Sequence, residues 1–387
     1  MTSSSPTAPS TSTSTIFLDA NASVPPRAEA RAALLAALDV VALGGNPSST
    51  HALGRAARRL LDTARDHVAG ALRTSAKDVF FTSGATEGNR LVVDMLVAAA
   101  EKRGRPLVVA TSPLEHPSLA KPLAWHAARG AFTLRTLPVV DEGVVVDVDV
   151  VRGADAVVVT GAHNETGVIV DVDAVCAAVD EDAVVVVDVS QSLGRIGPPP
   201  ARVDVAVCSA HKLGGYAGAG AVMLRRRGRG LQPPWAGGGQ ENGVRPGTEA
   251  TALLAAFGAA CAVVDDVRAG HRALRPLRDR LEAAVCAAAR GRAIGAGQPR
   301  LDNTSAVHFV DVDADALRMG LDQRRVAVGF GAACSALAPE PSPALVALGL
   351  SAKEARQVVR FSLAPNVDVD VDAVVAVVVD VVARARG

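Results

Sequence analysis

From Ile16 onward the chain alternates between two textures, stretches with apolar positions at helical spacing and short apolar runs. Helical spacing predicts helices over residues 27–38, 55–72 and 91–100, the second ended by Arg73-Thr74-Ser75. Apolar runs at 79–81, 107–110, 156–160, 184–187 and 205–208 read as strands. Such alternation predicts a mostly parallel central sheet flanked by helices, with ligands beyond the carboxyl ends of its strands. After about residue 250 the texture shifts: 251–267 and 273–289 read as two long helices, and 306–310 and 326–328 as strands. The Val/Asp text at 144–150 and 367–372 has period two. Val371, Val374, Val375, Val378 and Val382 also share one helical face, so the C-terminal stretch is expected to be helical.

Composition narrows the class. Of 387 residues, 49% are hydrophobic, enough for two cores. Residues 1–15 are almost all Ser, Thr and Pro and are expected to be a disordered tail, with neither the pattern of a signal peptide nor that of a transit peptide. Forty Lys and Arg balance forty Asp and Glu, which argues against a direct nucleic-acid partner, and 3% aromatics leave little to stack bases on. No apolar run is long enough to suggest a membrane span. The odd, scattered cysteines (Cys176, Cys208, Cys261, Cys286 and Cys334) point to a reducing, cytoplasmic setting without a zinc site.

The candidate chemistry sits at strand ends. Asp188 closes the run 184–187, with Gln191 three residues later, and Ser209-Ala210-His211-Lys212 follows the run 205–208. An acid and a lysine so placed suit pyridoxal 5'-phosphate (PLP), whose Schiff base needs a lysine and whose pyridine nitrogen needs a carboxylate. Thr82-Ser83-Gly84-Ala85-Thr86, between a strand and a helix, can hold its phosphate. Glu115-His116 and Asn164-Glu165-Thr166-Gly167 follow two further strands, and His116 can stack on the ring and carry protons. Cys334 stands in Gly331-Ala332-Ala333-Cys334-Ser335-Ala336, small residues that suit a moving loop; the other four cysteines lie in apolar patterns and are expected to be buried. Arg360 is a candidate carboxylate clamp.

Together these residues give the resemblance. Asp-Ala-Asn-Ala-Ser (19–23), Gly-Asn-Pro-Ser-Ser-Thr-His (45–51), Thr-Ser-Gly-Ala-Thr-Glu (82–87), Glu-His (115–116), Asn-Glu-Thr-Gly (164–167) and Asp-Val-Ser-Gln-Ser (188–192) stand in the order of the cysteine desulfurases. Ser-Ala-His-Lys (209–212), Gly-Gly-Gly-Gln-Glu-Asn-Gly-Val-Arg-Pro-Gly-Thr (237–248), Ala-Cys-Ser (333–335) and Arg-Phe-Ser-Leu (360–363) continue it. The resemblance covers about residues 16–387. It implies the aspartate aminotransferase-type (fold type I) α/β fold, a PLP cofactor, and removal of sulfur from L-cysteine to leave L-alanine.

By the same resemblance, Lys212 is the Schiff-base lysine, Asp188 sits at the pyridine nitrogen and Gln191 at the ring hydroxyl, with His116 stacked on the ring. Ala85, Thr86, Ser209 and His211 hold the phosphate. Thr248 reaches the phosphate of a neighbouring subunit, which implies a homodimer. Asn164 and Arg360 bind the substrate carboxylate. Cys334 takes the sulfur as a persulfide for an acceptor protein. The expected layout is a large PLP-binding domain over 28–255 and a smaller α/β domain formed by 16–27 with 256–387, carrying the cysteine loop. Departures are Arg90, His163, Tyr216-Ala217 and Ala332, where the family usually has other residues. Two other readings remain open: a related PLP-dependent lyase or biosynthetic enzyme acting on another amino acid, and an inactive paralogue serving as a scaffold for a sulfur carrier. Iron–sulfur assembly, tRNA thiolation and specialised biosynthesis all use this chemistry, and the sequence does not choose among them.

Overall fold

The computed structural model describes residues 15–330, 340–365 and 367–387. Its strands, in chain order, are β1 (Ile16–Leu18), β2 (Val79–Thr82), β3 (Leu107–Thr111), β4 (Phe132–Thr136), β5 (Val139–Val140), β6 (Gly143–Val144), β7 (Ala156–Thr160), β8 (Val184–Asp188), β9 (Val205–Ser209), β10 (Gly220–Leu224), β11 (Gly291–Ile294), β12 (Thr304–Phe309), β13 (Val326–Phe330) and β14 (Val358–Ser362). Seven of them form one sheet in the order β2-β10-β9-β8-β7-β3-β4. The pairs from β4 through β9 are parallel, and β10 runs antiparallel to both β9 and β2. The runs of valine follow from this architecture. Val157, Val159, Val185 and Val187 pack in one core while Val158, Val186, Val205 and Val207 pack in another, so alternate side chains fill opposite faces. Leu61, Val68 and Leu72 of α2 (Ala52–Leu72, after α1 at Ala28–Val41) cover the first face. The second is covered by Leu91, Met95 and Leu96 of α3 (Ala85–Arg103) and Leu119 and Leu123 of α4 (Pro117–Ala127).

A five-stranded sheet, β1-β13-β14-β12-β11, holds the remaining core under the helices Arg275–Ala289 and Val371–Ala385. Its edge strand β1 pairs in parallel with β13, which ties residues 16–18 to 326–328. The C-terminal Val/Asp stretch is helical as its 3.6-residue period predicts, and Asp370 caps it through the N–H groups of Asp372 and Ala373. The earlier Val/Asp stretch divides into the end of a short hairpin and one helical turn at Val148–Val151 capped by Asp147. Elsewhere the structure corrects the expectation. Helix α3 begins at Ala85, not near Leu91, so Ala85 and Thr86 lie in its first turn. The stretch 251–267 breaks at Val263 (φ −109°, ψ 25°) into Thr251–Ala262 and Val264–Arg272. Cys208 and Cys261 are buried, but Cys176 and Cys286 are only partly so. Among the described residues, no helix is long and apolar enough to cross a membrane.

Candidate active site

Strands β2, β3, β7, β8 and β9 run in one direction and end along one edge of the large sheet. Each is followed by residues singled out in the sequence: Ser83 to Thr86 after β2, His116 after β3, Asn164 after β7, Asp188 to Gln191 at and beyond the end of β8, and His211 and Lys212 after β9. They line a single cavity of about 440 Å³, together with Ser118, Thr160, Ala217 and Gly218. Ala85, Thr86, His116, Asn164, Asp188, Gln191, Ser209, His211 and Lys212 are all in its wall.

The Lys212 amine donates to the carbonyls of Asn21 (2.5 Å) and Ala22 (2.8 Å). Burial, with Arg195 and Arg360 nearby, lowers its pKa from the usual lysine value to about 8, against the opposing pull of Asp188 and Asp19. The amine is therefore available in neutral form close to physiological pH. Asp188 is held from two sides: Oδ1 accepts from the Ser190 N–H (2.8 Å) and Oδ2 from the Asn89 side-chain amide (2.7 Å). The His116 side chain caps α4, and its Nδ1 accepts from the Ser118 N–H at 3.1 Å, which leaves the ring proton on Nε2. Burial lowers the His116 pKa; Asp188 opposes this and Lys212 reinforces it, so the ring is neutral.

The N-terminus of α3 supplies an anion cradle. Gly84 caps it at φ 153°, and by helix geometry the first-turn N–H groups lack intrahelical acceptors. Strand β10 presses against this turn: a Cβ at Gly220 would lie 2.6 Å from the Gly84 Cα. Glu87 accepts from the Ser83 N–H (2.8 Å) and from Arg245 Nε (2.6 Å). Burial works against its charge, but these hydrogen bonds prevail and hold its pKa below the usual carboxylate range. Arg245 belongs to the loop that carries Thr248, so this ion pair fastens that loop to the cradle. Beside the cradle, burial and then Lys212 lower the His211 pKa to about 4, which leaves a neutral imidazole.

Among the described residues, two expected site residues are not in the cavity wall. Thr248 is exposed on its loop. Cys334 lies outside the described residues. Arg360, on β14, is buried, donates to the Asn164 carbonyl at 3.0 Å, and pairs with Asp19; its Nε has no partner among the described residues. The guanidinium lies against Gly329, where an added Cβ would come within 2.3–2.6 Å of Arg360 side-chain nitrogens and Cζ. Gly329→Ala is therefore expected to displace Arg360 and raise KM about tenfold or more for a carboxylate substrate with a smaller loss in kcat. Steady-state kinetics at several substrate concentrations check this, and an unchanged KM removes Arg360 from substrate binding.

Sequence reasoning passed over several residues that organise this site. Asn89 stands among the departures' neighbours without a role, yet it joins Asp188 to Ser118. Asn21 lies in a quoted motif, and its side chain meets Asn164, Thr304, Asn303 and Arg195. His163, a departure from the family pattern, is buried with Nδ1 against the Thr166 N–H and hydroxyl, and burial lowers its pKa to about 3.

Glu115 is also buried. Its Oε1 accepts from Ser112 (2.6 Å) and from the Thr160 N–H (3.0 Å), while Oε2 has no partner among the described residues. Burial raises its pKa to about 8, although both hydrogen bonds oppose this. A carboxyl whose folded pKa lies above its unfolded value favours the folded state below the unfolded pKa, and loses that advantage as pH rises through the folded pKa. Glu115→Gln mimics the protonated acid. It is expected to match the parent at pH 5 and to exceed it by about 2–4 kcal/mol at pH 8 to 9, as read from denaturant melts at both pH values. Equal stability at both ends contradicts the neutral carboxyl.

Comparison with known proteins agrees with this geometry. The family model for aminotransferase class-V matches residues 16–374. The cysteine desulfurase IscS 1 of Archaeoglobus fulgidus is 32% identical over 88% of this chain and 91% of its own length. A Frankia cysteine desulfurase is 38% identical over 82% of this chain and 80% of its own. An IscS-like cysteine desulfurase of Mycobacterium tuberculosis is 32% identical and covers 96% of this chain and 97% of its own. Among solved structures, a NifS-like protein superposes with TM-score 0.85 at 25% identity, covering 96% of this chain and all of that one. A NifS-like protein from Rickettsia africae gives 0.82 at 26% identity, covering 95% and 99%. A strand-end cavity of this make-up, on a chain matched over nearly its whole length, places the protein in the class-V aminotransferase family, among the cysteine desulfurases.

Proposed function

We propose that the chain binds PLP in this cavity and uses it to take sulfur from L-cysteine, releasing L-alanine. The observation that carries this is the convergence of a depressed-pKa lysine, a doubly held carboxylate, a neutral histidine and a helix N-terminus on one cavity. These residues fit the cofactor. Lys212 would join its aldehyde carbon, Asp188 its pyridine nitrogen and Gln191 its ring oxygen, while His116 stacks on the ring. Ala85, Thr86, Ser209 and His211 would hold the phosphate. When bound, PLP supplies an electron sink for the bond-breaking at the substrate carbons.

The chain's own residues do the rest. Asn164 and Arg360 orient the substrate carboxylate. The Lys212 amine, once the substrate amine has taken its place and set it free, takes the proton from the substrate Cα and later returns one. The Cys334 thiolate attacks the substrate sulfur: an S–S bond forms, the Cβ–S bond breaks with its electron pair left on Cβ, and protonation of that carbon gives alanine. The persulfide on Cys334 then passes its outer sulfur to an acceptor protein. Thr248, exposed and fastened through Arg245 to the phosphate cradle, serves the second subunit of a homodimer.

Incubation of the PLP-loaded protein with L-cysteine and a reductant tests this directly. Alanine and reducible sulfur in equal amounts are expected. Pyruvate in place of alanine overturns the proposal in favour of a lyase.

A further inference from the structure

Gln191 and Lys212 share a carbonyl: Asn21 O accepts from Gln191 Nε2 (3.0 Å) and from Lys212 Nζ. Behind Gln191 stands Arg195, four residues on in the turns that follow β8, and buried. One of its terminal nitrogens, Nη1, donates to Asn21 Oδ1 and to Gln191 Oε1, both at 2.6 Å, and Nη2 reaches the Ala20 carbonyl at 3.4 Å. Among the described residues all of these partners are neutral oxygens, and its Nε is buried without a partner. A buried guanidinium without a carboxylate costs stability, so its placement calls for a purpose beyond the core.

The purpose follows from donors and acceptors. Arginine can only donate, and a backbone carbonyl can only accept. Between Arg195 and Asn21 O, the Gln191 amide therefore has one permitted orientation, with oxygen toward Arg195 and nitrogen toward Asn21. Flipping it would set donor against donor and acceptor against acceptor. The nitrogen keeps a second N–H, and Gln191 lines the cavity.

We propose that Arg195 is a positioning residue that locks the Gln191 amide so that it presents an N–H donor to the ring oxygen of the bound cofactor. This rests on the PLP reading above. A donor at that oxygen favours its anionic form and makes the proton of the bound chromophore easier to lose. Removing the lock frees the amide to rotate, and the chromophore pKa rises. The charged groups around this point, Lys212, Arg360, Asp188 and Asp19, stay in place in every variant.

The test is the pH titration of the visible absorbance of the PLP-loaded protein. Arg195→Met and Gln191→Ala are each expected to raise the chromophore pKa by about one unit, a tenfold change in proton affinity. Arg195→Lys keeps a charged donor and is expected to titrate like the parent. In the Gln191→Ala background, Arg195→Met is expected to add clearly less than in the parent, leaving only the through-space effect of its charge on Lys212. A rise as large in that background as in the parent marks a purely through-space charge effect and overturns the proposal, as does an unchanged pKa in Arg195→Met.

Should Arg195→Met not fold, Gln191→Glu decides. A carboxylate against Arg195 is expected to melt above Gln191→Ala despite the oxygen it sets against Asn21 O, and a melt below that of Gln191→Ala places Arg195 elsewhere and overturns the lock. If no variant, nor the parent, takes up PLP, the cofactor reading fails, while the melt of Gln191→Glu still judges the lock.

Discussion

Lys212→Ala is expected to lose the covalent cofactor and to reduce turnover about a thousandfold or more, the scale on which a base and covalent anchor act together. Five lysines occur in the chain, and Lys212 is the one in the cavity wall. Its pKa of about 8 adds a pH signature. A lysine whose pKa is depressed is charged below that value and neutral above it, so capture of PLP by the parent protein should speed up between pH 7 and 8 and level off soon after. An unperturbed lysine would keep gaining toward pH 10. Borohydride reduction followed by peptide mass analysis locates the attachment. Normal turnover of the variant with label on Lys77, Lys102, Lys121 or Lys353 would discard the assignment.

Cys334→Ser is expected to bind cysteine and PLP as the parent does while its alanine production falls about a hundredfold or more, because the group that receives sulfur is gone. The described cysteines sharpen this expectation. Burial raises the pKa of Cys176 to about 11 and that of Cys208 to about 12, and it raises Cys261 and Cys286 as well. All four are thiols at neutral pH, and sulfur transfer needs thiolate. Mass analysis after cysteine addition should show one extra sulfur on the peptide holding Cys334. Extra sulfur on one of the other four, with full activity in Cys334→Ser, argues for a different acceptor.

The parts of the molecule that were legible in the sequence are those governed by local pattern. Valine runs too short for helices, separated by helical spacing, announce β7, β8 and β9 because both faces of those strands are buried. The chemistry at their ends follows, since Asp188 and Lys212 sit directly after such runs. What stayed hidden depends on distant pairing. Strand β10 is five residues, Gly-Ala-Val-Met-Leu, and its place between β2 and β9 is set by partners that both lie more than ten residues earlier in the chain. Arg195 reads as an ordinary surface arginine until residues 20 and 21 are brought beside it. Asn89 looks like one more polar residue in a helix, and only the fold shows that it faces Asp188. Glu115 is quoted in the sequence as the neighbour of His116, but its burial, and hence its raised pKa, comes from tertiary packing.

The carbonyl that receives the Lys212 amine belongs to Asn21, whose side chain and backbone are held by Asn303, Thr304 and Ser362. Residue 21 thus reaches its final position with the help of residues far later in the chain. During synthesis the lysine, its strand and the phosphate turn leave the ribosome well before those partners do. A nascent chain stopped before residue 303 has the large sheet's strands and the Asn164 contact of Asn21 but not its Asn303, Thr304 and Ser362 anchors, so the segment that receives Lys212 and Arg195 is held less firmly. Truncations that spare every cavity residue but remove β12 or β14 are therefore expected to take up less PLP than the full chain, as read from the visible absorbance.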